Sequence, residues 1–191
     1  MKSLFIEEEI KYIGSQLAPH WIYKNYHILG DAIVSFIGEM DVKITEMVDI
    51  EDVISNSPIY SKKMVSFIIE QFGITLSECV LRQRFLICII IEELRNILGE
   101  KFKITRSGDD IFININGEEK KLSVSIATQS TTSCLIHIGL NIDATGAPVA
   151  ACGLEKDLGI TNIEEFAKKI MNRYIEENNE IWEATCKVRG V

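Results

Sequence analysis

Prolines and long apolar runs are scarce in this sequence. Three prolines occur among 191 residues, and the longest apolar stretch, residues 85–91, is far too short to span a bilayer. The first ten residues, MKSLFIEEEI, contain no apolar segment of the kind that defines a signal peptide. We therefore expect an ordered protein of the cytoplasm that has no membrane partner.

Basic residues are outnumbered as well. The chain has 20 Lys and Arg against 28 Asp and Glu, which gives a formal net charge of −8. Binding to nucleic acid or to an anionic membrane needs a basic surface, so we expect neither partner, although a local basic pocket is compatible with this charge. The length is that of a single domain, which we place over residues 1–191.

No CxxC pair occurs among the five cysteines, which are Cys79, Cys88, Cys134, Cys152 and Cys186. Their number is odd and their spacing is wide. Such a pattern predicts reduced thiols of a cytoplasmic protein, and it does not favour a disulfide framework or a zinc site.

Two runs of alternating polarity, residues 121–127 and 136–143, predict a β-hairpin with one apolar and one polar face. If the polar residues share a face, Lys121 lies opposite Asn141, Ser123 opposite Gly139, and Ser125 opposite His137. This face is either a solvated surface or the floor of a ligand site, and periodicity alone does not distinguish the two.

The remaining pattern mixes strands and helices. Helical spacing and capping residues predict helices over residues 61–72, 78–98 and 162–177. Strands are predicted over residues 32–37, ended by Gly38, and over several shorter stretches, including 3–6, 102–105, 111–115 and 182–188, while residues 10–26 read as a structured loop. We therefore predict an α+β fold, a mostly antiparallel sheet backed by helices.

The stretch from residue 106 to residue 143 resembles the catalytic core of biotin and lipoate protein ligases. Asp109-Asp110 stands where that family has Asn-Asp, Lys121-Leu122-Ser123 where it has Lys-Leu-Ala, and Gly139-Leu140-Asn141 where it has Gly-Ile-Asn. The resemblance implies the fold that these ligases share with class II aminoacyl-tRNA synthetases.

Upstream, the segment 27–31 followed by the run 32–36 resembles the His-Asp-Leu-Gly-Asn strand of lipoate ligases, and Gly14-Ser15-Gln16 resembles their Gly-Arg-x-Gln. The whole chain is also similar to a small prokaryotic family of unknown function, domain of unknown function 366. One feature of the ligases is missing: where they have a glycine- and arginine-rich loop that holds phosphate, this chain reads HWIYKNYH.

By this resemblance, Lys121 would be the electrostatic catalytic residue and Asp110 a polar anchor. Ligand-binding residues are expected in both segments: Gly139, Asn141, Ser123 and His137 in the hairpin, and Trp21, Tyr23, Lys24 and His27 in the N-terminal loop, where Trp21, Tyr23 or His27 would form a lid. The implied ligands are a small carboxylic acid or nucleotide, with ATP and Mg²⁺ and an acceptor protein, and open sheet edges favour a homodimer.

Less specific explanations stay open for each of these residues. Asp109-Asp110 can be a simple turn pair, Lys121 can protect a strand edge, and the histidines can be structural. Three functions therefore compete: an acyl- or adenylate-handling enzyme, a binding module without chemistry, and a structural subunit with an unused pocket.

Overall fold

Two β-sheets and two long helices make up the fold in a computed structural model that describes residues 1–56 and 58–190. The strands are β1 (Lys2–Phe5), β2 (Ala32–Val42), β3 (Ile59–Gln71), β4 (Lys103–Ser107), β5 (Asp110–Ile115), β6 (Glu118–Lys121), β7 (Ser123–Gln129) and β8 (Cys134–Asp143). The α-helices are α1 (Trp21–Tyr26), α2 (Ile50–Ser55), α3 (Leu76–Leu98) and α4 (Ile163–Cys186), and two 3₁₀ turns cover Ile44–Glu46 and Gly99–Lys101.

The larger sheet has five strands in the order β1-β2-β3-β8-β7, and the smaller has three in the order β4-β5-β6. All neighbouring strands pair antiparallel except β1 and β2, which are parallel. The predicted α+β class with a mostly antiparallel sheet is therefore confirmed.

Both faces of the five-stranded sheet are covered. On one face, Val65 and Phe67 of β3 join the apolar residues of α3 and α4 in the main core. On the other face, Val34 and Phe36 of β2 pack with a second core whose cover includes Ile22 from the N-terminal segment. Within the described residues, no helix is long and apolar enough to cross a membrane.

The predicted helix over residues 61–72 is wrong, because this segment is the central strand β3. Met64 to Gln71 are all buried, since β2 and β8 pair with the strand on both sides and cores cover both its faces. A strand buried on both faces carries an almost continuous apolar run. In such a run, apolar residues also occur at helical spacing by chance, and the pattern misled the prediction.

The predicted strand over residues 182–188 is also wrong, because α4 continues to Cys186. Trp182 is 69% exposed, so the alternation in this segment does not reflect a buried face. The predicted start of the helix is one residue early: Asn162 is the N-cap, and its side chain accepts a hydrogen bond from the Glu165 backbone N–H.

Gly38 was expected to end β2, but the strand continues past it to Val42 with a register shift. At this point the N-terminal segment pairs with β2, since the Ile10 and Tyr12 backbone N–H groups donate to Ile37 and Glu39. A Cβ atom on Gly38 would lie 2.0 Å from the Ile10 carbonyl oxygen. Glycine therefore permits the close approach that positions Tyr12.

Local sequence signals explain several other features of the fold. Asn116 and Gly117 both have positive φ and join β5 to β6 in a tight hairpin. The apolar helix predicted over residues 78–98 is α3, which has Thr75 as its N-cap and ends at Gly99. The arginines near its start meet carboxylates, Arg82 with Glu78 and Arg84 with Asp109.

Candidate functional site

A cleft of about 470 Å³ opens on the face of the five-stranded sheet that carries the second core. It extends from the end of β2 across β3 and β8 to the junction between β6 and β7. Its walls come from five parts of the chain: residues 12–17, 40–52, 58–64, 109–126 and 137–151. The cleft therefore depends on the tertiary fold and not on one local motif.

Lys121 and Asp110 form an ion pair in the wall of this cleft. The Lys121 Nζ lies 2.8 Å from the Asp110 Oδ2, and both side chains are about one-third exposed. Asp52 of α2 also faces the pair: burial raises the pKa of this carboxyl, the nearby Asp49 and Asp110 carboxylates raise it further, and Lys121 opposes them. The three groups form one electrostatic cluster.

The cleft has an acidic lining. Lys121 is the one cation among its described residues, against six carboxylates, those of Glu46, Asp49, Glu51, Asp52, Asp109 and Asp110. Lys121 is therefore not an isolated cation, because Asp110 already pairs with it. In the part of the chain that the structure describes, no three His, Cys, Asp or Glu side chains are grouped to hold a metal ion.

Asp109 faces away from this cluster toward helix α3. Its Oδ2 accepts a 2.8 Å hydrogen bond from the Gln83 Nε2, and its Oδ1 lies 3.3 Å from the Arg84 Nη2. Gln83 also donates to the Ser125 hydroxyl. These contacts fix the turn that presents Asp110. The carboxylate of Asp109 is therefore already bonded to Gln83 and Arg84 of helix α3.

His137 and Tyr12 lie stacked among the residues that line the cleft. Their ring centroids are 3.9 Å apart at an angle of 6°, and the His137 Nε2 is 3.2 Å from the Ser66 hydroxyl. Burial lowers the pKa of His137 to about 3, so this imidazole is neutral at physiological pH. It can accept or donate a hydrogen bond, but it cannot act as a cationic anchor.

The predicted pairing of the hairpin is shifted by one residue. Ser125 lies opposite Ile138 and not His137, and the Asn141 backbone N–H donates to the carbonyl of Leu122 rather than pairing with Lys121. Lys121 itself ends β6 in the smaller sheet. The two side chains nevertheless both line the cleft.

The shift has a physical reason in the buried serines of β7. The Ser123 hydroxyl accepts from the Ile111 backbone N–H at 2.8 Å, and the Ser125 hydroxyl accepts from Gln83. Because these hydrogen bonds satisfy polar groups inside the protein, the serines take the helix side of the strand. Val124 packs on the second core instead. Ser123 still contributes to the cleft lining, but it is fully buried.

Gly139 does not expose its backbone to the cleft. A Cβ atom placed on it would lie 2.1 Å from the sulfur of Met64, so the Met64 side chain fills the space that we had assigned to a ligand. Gly139 is absent from the described lining, whereas Met64 is part of it. The glycine thus serves packing between β3 and β8.

The expected N-terminal lid lies elsewhere. Trp21, Tyr23 and Lys24 belong to helix α1, and His27 is its C-cap. None of the four is among the described residues that line the cleft, where Tyr12, Gly14 and Leu17 form the N-terminal wall. Trp21 packs against Tyr26 and Phe36, while the other three are exposed.

Sequence reasoning missed several lining residues, among them Tyr12, Met40, Val42, Met64 and the acidic segment 46–52. One sequence signal pointed to this part of the cleft. Gly14-Ser15-Gln16 resembles a ligase motif, and Gly14 lies in the lining. Gln16 stabilises this turn, because its side chain bonds the Ile13 N–H and the Lys11 carbonyl.

Comparison with protein families now identifies the chain. The model of a family described as a domain of unknown function, DUF366, matches residues 1–189. The chain belongs to this family. An uncharacterized protein of Methanocaldococcus jannaschii is 36% identical over 187 residues, which are 95% of this chain and 81% of that protein. Membership in the family was predicted from the sequence and is confirmed.

Several solved structures have a fold similar to that of this chain. A protein of unknown function from Pyrococcus horikoshi is 40% identical and superimposes with a TM-score of 0.89 over 100% of both chains. A biotin protein ligase mutant from Aquifex aeolicus, in complex with biotin, gives a TM-score of 0.60 at 14% identity, covering 96% of this chain and 72% of that one.

A lipoate protein ligase from Thermoplasma acidophilum gives a TM-score of 0.54 at 13% identity, with coverage of 92% of this chain and 84% of that one. At these identities, the likeness to both ligases establishes a shared fold and does not establish a shared reaction. The predicted biotin and lipoate ligase-like fold is therefore confirmed.

Proposed function

We propose that the protein is an acyl- or adenylate-handling enzyme that acts on a small carboxylic acid bound in the cleft. The observation that carries this proposal is the position of Lys121, the one described cation of a partly apolar cleft, in a fold that biotin and lipoate ligases share. A cation that is partly shielded from water stabilises a carboxylate, or the charge that develops when a carboxylate is activated, more strongly than it would in bulk solvent.

Other residues that line the cleft also have roles in this proposal. Asp110 holds the ammonium group at 2.8 Å and so orients it toward the bound acid. Asn141 and His137 contribute uncharged polar groups to the lining, and Met40, Met64 and Val124 provide apolar contact for the body of the acid.

ATP and Mg²⁺ are the co-substrates that the fold family implies. Magnesium that arrives with a nucleotide needs only one or two protein carboxylates, and Asp49, Asp52 and Asp110 offer them among the lining residues. The same carboxylates fit an incoming amine, such as a lysine of an acceptor protein.

Two further proposals concern the oligomeric state and the cellular location of the protein. The sheets end at β1 and β7 and at β4 and β6, and pairing of such edges between two copies would give a homodimer. Sedimentation of the purified protein tests this. The free cysteines are consistent with a cytoplasmic location.

A thermal-shift experiment tests the central proposal. Biotin, lipoate and octanoate are added in turn, each with and without ATP and Mg²⁺, and the true substrate raises Tm by several degrees when it is in large excess over its Kd. Lys121→Ala should abolish this shift and change the free energy of unfolding by no more than about 1 kcal/mol, since the lost ion pair is partly exposed. Lys120→Ala is the matched control, because Lys120 pairs with Glu118 instead. Ligand binding that is equal in Lys121→Ala and wild type would refute the role of Lys121.

A second function, binding without chemistry, is favoured by one specific observation. The segment that replaces the phosphate-holding loop of the ligases forms helix α1, which contributes no described residue to the cleft, and the acidic lining disfavours phosphate. Release of pyrophosphate from ATP separates the two functions. An adenylate-forming enzyme releases it when the bound acid is present, whereas a binding module shows the thermal shift alone.

A further inference from the structure

Tyr12 is almost completely buried in the lining of the cleft, yet its hydroxyl has no hydrogen-bond partner. The residue as a whole is 4% exposed. Within the described part of the chain its side chain makes no hydrogen bond, and its hydroxyl oxygen is not one of the fully buried unpaired atoms, so this oxygen keeps access to the open space of the cleft. Buried polar groups in folded proteins are nearly always paired. Because Tyr12 lines the cleft, the cleft is where water or a ligand group can complete its hydrogen bonding.

The position of the Tyr12 ring is fixed before any ligand arrives. It stacks on His137 with an interplanar angle of 6°, and its backbone bonds Glu39 and Asp41 of β2. Burial also raises the pKa of the phenol, so the hydroxyl is uncharged and both donates and accepts. A fixed, neutral donor and acceptor is suited to an uncharged polar group.

Tyr12 and Lys121 mark opposite ends of the cleft floor. Lys121 precedes Leu122, whose carbonyl bonds the Asn141 N–H, so the lysine lies at the Asn141 end of β8. The Tyr12–His137 stack lies four residues along the same strand, which is about 13 Å at the usual rise per residue. An acid whose carboxylate meets Lys121 would extend its far end toward Tyr12.

We infer that Tyr12 is a specificity-determining residue that selects acids with an uncharged hydrogen-bonding group, such as an amide, at the end remote from the carboxylate. This inference rests on the proposed function and names the substrate class more closely. A purely apolar chain would displace water from Tyr12 and leave its hydroxyl unpaired, which costs affinity.

Three probes test the inference by calorimetric titration: octanoate, 7-carbamoylheptanoate, which carries a terminal amide at similar length, and octanamide, which lacks the carboxylate. The wild-type protein should bind 7-carbamoylheptanoate at least tenfold more tightly than octanoate. Tyr12→Phe keeps the ring and its stack on His137, and it should remove this preference without weakening octanoate. Tyr26→Phe is the control, because Tyr26 packs on Trp21 outside the described cleft lining.

The outcomes separate this inference from the proposed function. Equal binding of the two acids, or tighter binding of octanoate, overturns the role of Tyr12 and leaves an acid-binding cleft in place. Binding of octanamide that depends on Tyr12, with no binding of either acid, supports Tyr12 and overturns the proposed function. Binding of none of the three probes overturns both. If Tyr12→Phe does not fold, equal binding of the two acids by the wild-type protein still overturns the inference, and Tyr12→Leu replaces Tyr12→Phe as the variant that must lose the preference.

Discussion

At the scale of single residues, Gly38 shows how one missing side chain determines the site. The Ile10 carbonyl occupies the place of a Cβ atom at this glycine, and the segment that it fixes carries Tyr12 into the cleft. A backbone contact of this kind cannot relax through a rotamer change, in contrast to the contact between Gly139 and the flexible end of Met64.

We predict that Gly38→Ala lowers the free energy of unfolding by about 2–3 kcal/mol, because overpacking against backbone forces a shift of the main chain. Urea denaturation measures the change. Gly190→Ala is the control, since among the described residues, its chain neighbours aside, no atom lies within 4 Å of its Cβ position. Equal stability of Gly38→Ala and the wild type would show that the N-terminal segment can move away at no cost.

His137 links the site to the pH dependence of stability. Burial depresses its pKa from 6.5 to about 3, so between these values the unfolded chain binds a proton that the folded protein does not. Stability from this residue is therefore complete above about pH 6.5 and is lost as the pH falls.

From pH 7 to pH 4.5, this residue should cost the wild type about 2 kcal/mol of unfolding free energy. His137→Gln should remove that part of the pH dependence, while His27→Asn, at an exposed position, should not. The measurement is a series of urea titrations across this pH range. A wild-type profile parallel to that of His137→Gln would contradict the prediction.

At the scale of elements, helices α3 and α4 are joined by a buried carboxylate. Glu93 of α3 has a side chain that is 2% exposed, and its oxygens lie 2.7 Å from the Lys169 Nζ and 2.6 Å from the Arg173 Nη1. Burial raises the pKa of Glu93, but the two cations lower it more, so the net shift is downward. Its contribution to stability is present above the unfolded pKa of 4.5 and is lost as the pH falls through the folded value.

We expect Glu93→Gln to destabilise the protein by about 1–3 kcal/mol at pH 7, with a smaller difference from wild type at acidic pH, once the pH has fallen through the lowered pKa of Glu93. Glu92→Gln offers a neighbouring control. It removes an exposed ion pair with Arg173 and should cost less than about 1 kcal/mol. Thermal unfolding at both pH values compares the variants, and equal effects of the two substitutions would refute a special role for Glu93.

At the scale of the whole molecule, the cysteines report on the redox state of the fold. All five are free thiols in the structure, with Cys88 and Cys186 exposed and the other three buried. Cys79 lies beside Cys134, and burial together with this neighbour raises the pKa of the Cys79 thiol to about 12. Because the thiolate is the species that reacts, Cys79 should resist oxidation.

The protein purified without reductant should therefore show five titratable thiols after denaturation, and two of them, Cys88 and Cys186, should react quickly in the native state. Titration with a chromogenic disulfide reagent gives both counts. Fewer than five thiols in the denatured protein would demonstrate a disulfide and contradict the prediction.

The fold class and several local elements follow from the sequence alone. The apolar helix α3, its stop at Gly99 and the Asn116-Gly117 hairpin depend on interactions between near neighbours, so their signals lie within a few residues. The resemblance to the ligases indicated Asp110, Lys121, Ser123 and Asn141, and the alternating polarity of the hairpin indicated His137. The fold places all five in the lining of the cleft, and their roles as site residues stay predictions.

Only the tertiary structure decided the remaining features. Strand β3 is defined by partner strands on both sides. The hairpin register is defined by hydrogen bonds that the Ser123 and Ser125 hydroxyls accept from the Ile111 N–H and the Gln83 amide, both distant in the chain. Tyr12 lies among the described residues that line the cleft, whereas the aromatic segment 20–27 does not, because the Ile10 backbone packs closely against Gly38 and so positions Tyr12. Periodicity records which residues are apolar, but burial against distant partners determines which face of a strand meets the cleft.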